Sequence, residues 1–179
     1  MQRMSGIATK THVLTSLCKG TRAKVLDTRK TTPGFRAIEK WAVTIGGGVN
    51  HRFGLYDMIL IKDNHVDYAG GIRKSIEATH KYLIKKRKKL KLEIEVRNLD
   101  ELSQVLAVGR IHRIMLDNFS VNDLKKAIKM IDGKYETEAS GRINENNIRD
   151  YAKCGVDCIS VGALTHSVKS LDLSLKAVK

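Results

Sequence analysis

Several residues in this chain have the chemistry of an anion site, and each stands just past an apolar run. The cations and donors are Arg29, Lys30, His51, Arg52, Lys62 and His166. The carboxylates are Glu95 and Asp117; the small or hydroxyl residues are Ser140, Gly141 and Gly162. Cations gathered on one pocket repel each other unless a ligand neutralises them, and arginine favours bidentate carboxylate or phosphate binding. Backbone N–H groups at Ser140-Gly141 and Gly162, near helix amino ends, suit a phosphate. Two carboxylates beside a phosphate-bearing substrate suit Mg²⁺ or sugar hydroxyls. The expected ligand is a polyanion carrying carboxylates, phosphates or both.

Short strands must deliver these residues. Met58–Ile61 is an apolar run of the length of a buried parallel strand, and it stops at the polar residues Lys62-Asp63-Asn64-His65, either a strand end that presents chemistry or a solvated turn. Gly46, Gly47 and Gly48 precede it and allow close backbone approach or positive φ. Lys24–Asp27 reads as a strand ending in Thr28-Arg29-Lys30, with Pro33-Gly34 as a turn. Lys91–Val96 alternates, with Leu92, Ile94 and Val96 on one face and Glu93 and Glu95 on the other. In a barrel that second face is the interior, where a carboxylate must be paired or functional. Arg113–Leu116, Tyr135–Ala139 and Cys158–Val161 complete the strands and end at Asp117-Asn118, Ser140-Gly141 and Gly162.

Helices are expected between them: Ser5–Lys19, Phe35–Val43, Gly70–Lys86, Leu99–Val108, Val121–Ile131 and Asn144–Cys154, the last capped by Asn144. Leu164–Val168 opens a final helix, and Leu171–Leu175 is a candidate further strand. Strand, polar stop and helix in alternation imply parallel strands with helices outside. A doubly wound open sheet would concentrate its site at one switch point, whereas a barrel gathers every strand end around one mouth. The barrel fits better. Full barrels of this kind need about 250 residues, so the expectation is an incomplete TIM-like α/β barrel of six to seven parallel strands.

Composition narrows the partners. The 179 residues carry 33 Lys and Arg against 19 Asp and Glu, a net charge of +14, which calls for an anionic partner. Aromatics are 5%, too few for the stacking platforms of single-stranded nucleic-acid binding. The run Lys85-Lys86-Arg87-Lys88-Lys89 reads as a solvated helix end. No apolar run approaches a membrane span, and no export signal is visible at the amino terminus, so a cytoplasmic protein is expected. Cys18, Cys154 and Cys158 read as free thiols in a reducing compartment.

The motifs SGIAT (Ser5–Thr9), DTRKTTPG (Asp27–Gly34), GGGVNHRFGLYDMILIKDNH (Gly46–His65), EIEV (Glu93–Val96), MLDNF (Met115–Phe119), EASG (Glu138–Gly141) and VGALTHS (Val161–Ser167) resemble those of the quinolinate phosphoribosyltransferases, in the same order. The resemblance implies a pentosyl transfer with decarboxylation, in which quinolinate and phosphoribosyl pyrophosphate give nicotinate mononucleotide, pyrophosphate and CO₂ in NAD biosynthesis, with Mg²⁺. A related transferase with another acceptor, or an inactive truncated copy, is the alternative. Carried over by position, Arg29, His51, Arg52 and Lys62 hold the quinolinate carboxylates and Lys30 faces the pyrophosphate. Glu95 and Asp117 meet the ribose hydroxyls and the metal, directly or through water. Ser140, Gly141, Gly162 and His166 surround the phosphoribosyl phosphate. The catalytic expectation falls on Lys30, Lys62, Glu95 and Asp117.

By the same resemblance, residues 1–179 form the α/β-barrel domain, and the family's amino-terminal sandwich domain, expected ahead of SGIAT, is absent. The family implies homodimers or rings of dimers, with an arginine from the partner's amino-terminal part reaching the quinolinate; nothing here matches that arginine. Neither nucleic acid nor membrane is an expected partner.

Overall fold

The computed structural model describes residues 1–178. Six parallel strands are present: β1 (Lys24–Leu26), β2 (Met58–Ile61), β3 (Lys91–Val96), β4 (Arg113–Asp117), β5 (Glu136–Ser140) and β6 (Cys158–Ser160). They lie in the order β1-β6-β5-β4-β3-β2. The two chain-order neighbours β1 and β2 are thus the two ends of the sheet. Between them runs the segment before β2. Val49 bridges Leu26 in parallel, its N–H donating to Val25 O at 2.8 Å while its C=O accepts from Asp27 N–H at 3.2 Å. The sheet is a barrel of six strands left unclosed by any further strand.

The glycines make that crossing possible. A side chain on Gly46 would collide with the Ala8 carbonyl of the first helix, and one on Gly48 would sit 2.7 Å from Val43 Cγ1 and 2.8 Å from Thr11 Cγ2. Only hydrogen fits there, so the backbone is pressed between helices and strand. The helices are α1 (Gln2–Leu17), α2 (Arg36–Ile45), α3 (Asp63–Ala69), α4 (Ile72–Lys85), α5 (Leu99–Val108), α6 (Val121–Ile131), α7 (Ile148–Lys153) and α8 (Ala163–His166). Leu92, Ile94 and Val96 face outward under them and are fully buried, as are Ile114, Leu116, Leu102, Leu124 and Ile131. Asn98 and Ser120 cap α5 and α6 by accepting Glu101 and Asp123 N–H groups at 2.9 and 3.1 Å.

Three expectations need correction. The polar stop after β2 is not a turn. Lys62 opens α3, and His65 Nδ1 accepts the Lys62 N–H at 3.0 Å. Helix α7 starts at Ile148, because Asn144 and Asn147 spend their amides on each other's turn: Asn147 Oδ1 accepts from Asn144 N at 2.8 Å. Residues 171–175 form no strand. Leu171 N–H donates to Gln2 O, and Gln2 Nε2 donates to Leu173 O, so this stretch lies along the start of α1 rather than beside a sheet edge. The barrel therefore has six strands and no seventh among the described residues.

Candidate active site

A cavity of about 660 Å³ opens at the carboxyl ends of the strands. Every residue picked out above as a site candidate lines it. Arg29 and Lys30 come from beyond β1, His51 and Arg52 from the crossing segment, and Lys62 from the end of β2. Glu95 and Asp117 come from β3 and β4, Ser140 and Gly141 from β5, and Gly162 and His166 from β6 and α8. The basic run 85–89 is fully exposed and leads into the amino end of β3, on the face opposite the cavity.

One side of the cavity is cationic. Arg29 and Arg52 lie close enough to repel, and neither forms an ion pair among the described residues. Burial first, then the Arg29 guanidinium, hold Arg52 below its ordinary value. Arg29 Nε is buried without a hydrogen-bond partner. Lys62 Nζ is 2.6 Å from Glu95 Oε2, which spans the ends of β2 and β3.

The other side is built of backbone. Asn118 and Arg142 adopt left-handed φ (55° and 53°), flanking a loop in which Gly141 has φ 101°. A side chain on Gly141 would overlap the Asn118 side chain and approach its backbone N at 2.8 Å. Asn118 Nδ2 donates to Asp117 Oδ2 at 2.6 Å, and its N–H donates to Ser140 O at 2.8 Å. A side chain on Gly162 would begin 3.0 Å from His166 Nε2 and 3.4 Å from Lys30 Cδ. Lys30, Gly162 and His166 thus share one small concavity. Thr165 Oγ1 donates to Lys30 O at 2.6 Å, with Gly162 O also in reach at 3.3 Å, and fixes the loop after β1.

Beneath the cavity the barrel interior is charged. Arg113 Nε donates to Glu136 Oε2 at 3.0 Å, and its Nη1 donates to Glu138 Oε2 at 3.0 Å. Glu93 and Glu138 are fully buried, and His51 Nε2 lies 3.2 and 3.3 Å from them. Burial, then the Glu138 charge, push the Glu93 carboxyl up to about 7. Glu138 is held below the usual carboxylate range; its burial is outweighed by His51, Ser160 and Arg113. Asp27 accepts from Lys40 Nζ and from the His51 N–H at 2.8 Å, and Lys40 also donates to His51 O at 3.0 Å. At the rim, Arg3 donates to Glu39 Oε1 at 2.9 Å and to Thr165 O at 2.7 Å, tying α1, α2 and α8 together.

Glu93 was expected only as an interior carboxylate; sequence reasoning did not pick out Arg142 and Glu138, which line the cavity, or Arg113 below it. A signal existed for Glu138 and Arg113. Glu93 and Glu138 lie two residues before Glu95 and Ser140, and so share the inward face. Arg113 pairs in register with both Glu93 and Glu136. Cys18, Cys154 and Cys158 are free and buried, and burial pushes the Cys158 thiol up to about 12.

Glu95 and Asp117 are the expected metal ligands. Each faces a nitrogen donor, Lys62 or Asn118, and they do not form a cage with a third carboxylate. That suits Mg²⁺, which is held through one or two carboxylates, waters and substrate phosphates. The closely spaced set His51, Glu93 and Glu138 lies deeper and already has the Arg113 guanidinium beside it.

Residues 7–176 match the family model of the quinolinate phosphoribosyl transferase C-terminal domain. The chain belongs to this family. It is 47% identical to the nicotinate-nucleotide pyrophosphorylase [carboxylating] of Arabidopsis thaliana, a chloroplastic protein, over 98% of this chain and 54% of that one. It is 43% identical to the probable nicotinate-nucleotide pyrophosphorylase [carboxylating] of Bacillus subtilis, over 98% of this chain and 59% of that one. The family's solved structures superpose closely. NadC from Streptococcus pyogenes gives a TM-score of 0.92 at 41% identity, covering 99% of this chain and 61% of that one. The nicotinate-nucleotide pyrophosphorylase of Francisella tularensis gives 0.89 at 48%, covering 97% and 60%. The chain thus spans 54–61% of the length of these four relatives.

Proposed function

We propose that this chain carries the active site of a carboxylating nicotinate-nucleotide pyrophosphorylase, transferring phosphoribose to quinolinate. One observation supports this above the others: Arg29 and Arg52 line the cavity close enough to repel, and neither has a carboxylate within ion-pair distance among the described residues. An anion that bridges the pair relieves that repulsion. Quinolinate, with two adjacent carboxylates, offers that bridge, with Lys62 as third cation. The phosphoribosyl phosphate fits the Ser140-Gly141 and Gly162-His166 side. Lys30 stands between them, on the path of the departing pyrophosphate.

The chemistry asked of these residues is electrostatic. As the C1–oxygen bond to pyrophosphate lengthens, ribose C1 gains oxocarbenium character and the pyridine nitrogen attacks it. Lys30 stabilises the charge arriving on pyrophosphate. Glu95 and Asp117 would hold the ribose hydroxyls and, with substrate phosphates and water, Mg²⁺, which would supply charge neutralisation at the diphosphate. Loss of CO₂ then leaves its electron pair on the ring carbon beside the cationic pyridinium nitrogen, which stabilises it until a proton from solvent replaces the lost carboxylate.

The assembly is inferred as a homodimer or ring of dimers. Phe35, Ile38, Trp41 and Ile45 recur at helical spacing on α2 and are all exposed, Trp41 at 62%. Such a stripe supports an interface. No helix among the described residues is long and apolar enough to cross a membrane. Relatives work in different compartments, chloroplastic in Arabidopsis thaliana and mitochondrial in Nicotiana glauca, so a cytoplasmic site for this chain remains a proposal.

Calorimetric titration with quinolinate, and with nicotinate as control, tests the reading. Saturable binding of quinolinate over nicotinate is expected. Equal affinity for the two would point to a transferase with another acceptor.

A further inference from the structure

Helix α2 carries Arg36, Glu39 and Lys40 at i, i+3 and i+4, on the face opposite its exposed apolar stripe. Each of the two cations joins the β1 side of the barrel to the crossing segment. Lys40 Nζ donates to the Asp27 carboxylate and to His51 O at 3.0 Å. Arg36 Nη2 donates to Arg29 O at 3.3 Å and its Nη1 to Phe53 O at 3.1 Å, with Nε on Thr31 Oγ1 at 3.0 Å. The two rungs bracket Thr28 on one side and Arg52 on the other. The loop after β1 turns back to Arg36 at Gly34, whose φ of 76° favours glycine. Glu39 holds that loop by accepting the Thr32 N–H at 3.0 Å. Phe53 is fixed from its other end, where its N–H donates to Asp57 Oδ2 at 2.6 Å. All three bonds of Arg36 go to uncharged oxygens, so its guanidinium serves as a rigid fork between two stretches of backbone.

We infer that Arg36 is a positioning residue: it fixes the separation of Arg29 and Arg52, and so selects an anion with two adjacent carboxylates over one with a single carboxylate. Arg36 is not among the residues that line the cavity. It grips the backbone of Arg29 directly and that of Phe53 one residue beyond Arg52. The two cavity arginines lie close enough to repel, and without the fork their segments are free to part along that repulsion. Two carboxylates need both guanidiniums at a set distance, whereas one carboxylate needs only one of them. The identity of the anion rests on the function proposed above; the fork between the two segments does not.

Arg36→Lys keeps the charge and removes the planar fork, and it is tested in two ways. The first is amide hydrogen exchange of the ligand-free chain, read by mass spectrometry. Exchange is expected to quicken on both sides of the fork, in residues 29–32 and in residues 52–54. Unchanged exchange on either side would overturn the inference. The second is calorimetric titration with quinolinate and with nicotinate. The preference for quinolinate over nicotinate is expected to fall at least about tenfold in Arg36→Lys, the worth of one charged hydrogen bond. Parental preference in that variant would mean that charge near the site, not spacing, is the role of Arg36. In an Arg29→Ala chain no separation is left to set, so adding Arg36→Lys is expected to change quinolinate affinity by less than about twofold. A further loss as large as in the parent would place the action of Arg36 elsewhere. If the parent binds no quinolinate, the function fails, while the exchange of the two segments still decides this point.

Discussion

Lys62 Nζ and Glu95 Oε2 stand 2.6 Å apart at the ends of neighbouring strands, with Lys62 half-exposed to the cavity and Glu95 buried. The pair joins the cationic side of the site to its carboxylate side. Lys62→Ala is expected to weaken quinolinate binding by at least about tenfold, through loss of one charged hydrogen bond. Circular dichroism should remain that of the parent. Calorimetric titration reads the loss, and unchanged affinity would remove Lys62 from the site.

Gly141→Ala puts a side chain at φ 101° and into Asn118. Backbone strain of this kind costs about 1–3 kcal/mol. The melting temperature should fall, and on the function proposed above affinity for phosphoribosyl pyrophosphate should fall with it, since that reading seats the phosphate on this loop's N–H groups. A variant with parental melting and affinity would show that this loop tolerates a Cβ.

Arg113→Met leaves Glu93 and Glu138 buried without their counter-charge. Breaking a buried pair from one side costs about 3–5 kcal/mol. The deficit should shrink on acidification, as the stranded carboxylates take up protons. Chemical denaturation at pH 5 and pH 8 separates this from simple loss of packing, which would be equal at both.

Glu93 carries a pH signature of its own. Its carboxyl is raised from 4.5 to about 7 in the fold, so the folded chain holds that proton more tightly than the unfolded chain. The resulting stability is fully present below 4.5 and is lost as pH rises through about 7. Glu138, shifted downward, works the other way, and its contribution is lost on acidification below 4.5. Between those values the parent should lose stability with rising pH, and Glu93→Gln should flatten that slope in denaturation curves.

Asp27→Asn strands the Lys40 ammonium, 2% exposed, inside the crossing segment. A cost of about 3–5 kcal/mol is expected, read by thermal melting; a variant that melts with the parent would mean that Lys40 finds another partner.

Much of this was legible before the structure. Strands with a polar stop, such as Met58–Ile61 and Arg113–Leu116, announced both the fold and the residues at the mouth, since a buried parallel strand has to end where the polar residues begin. Glu95 was readable as an interior carboxylate from alternation alone. What could not be read was pairing across strands. Arg113 and Glu138 are 25 residues apart, and nothing local couples them; register brings them together. The Leu171–Leu175 pattern has strand periodicity, yet no sheet edge is offered to it, and α1 takes it instead. The polar Asp63-Asn64-His65 stretch looked like a turn because its helix is short and its cap is a lysine, not a residue of capping type.

The crossing at Val49 gives the molecule a seam. Where β1 and β2 should meet, a single bridge and a buried ion pair stand in for a ladder of hydrogen bonds. Arg29 and Lys30 stand on one lip of that seam, Lys62 on the other, with His51 and Arg52 between. An anion gripped by Arg29, Arg52 and Lys62 together is therefore a staple across the least-knitted line of the barrel. Substrate would complete the ring mechanically as well as chemically, and slow the amide exchange of residues 48–52 more than that of any strand.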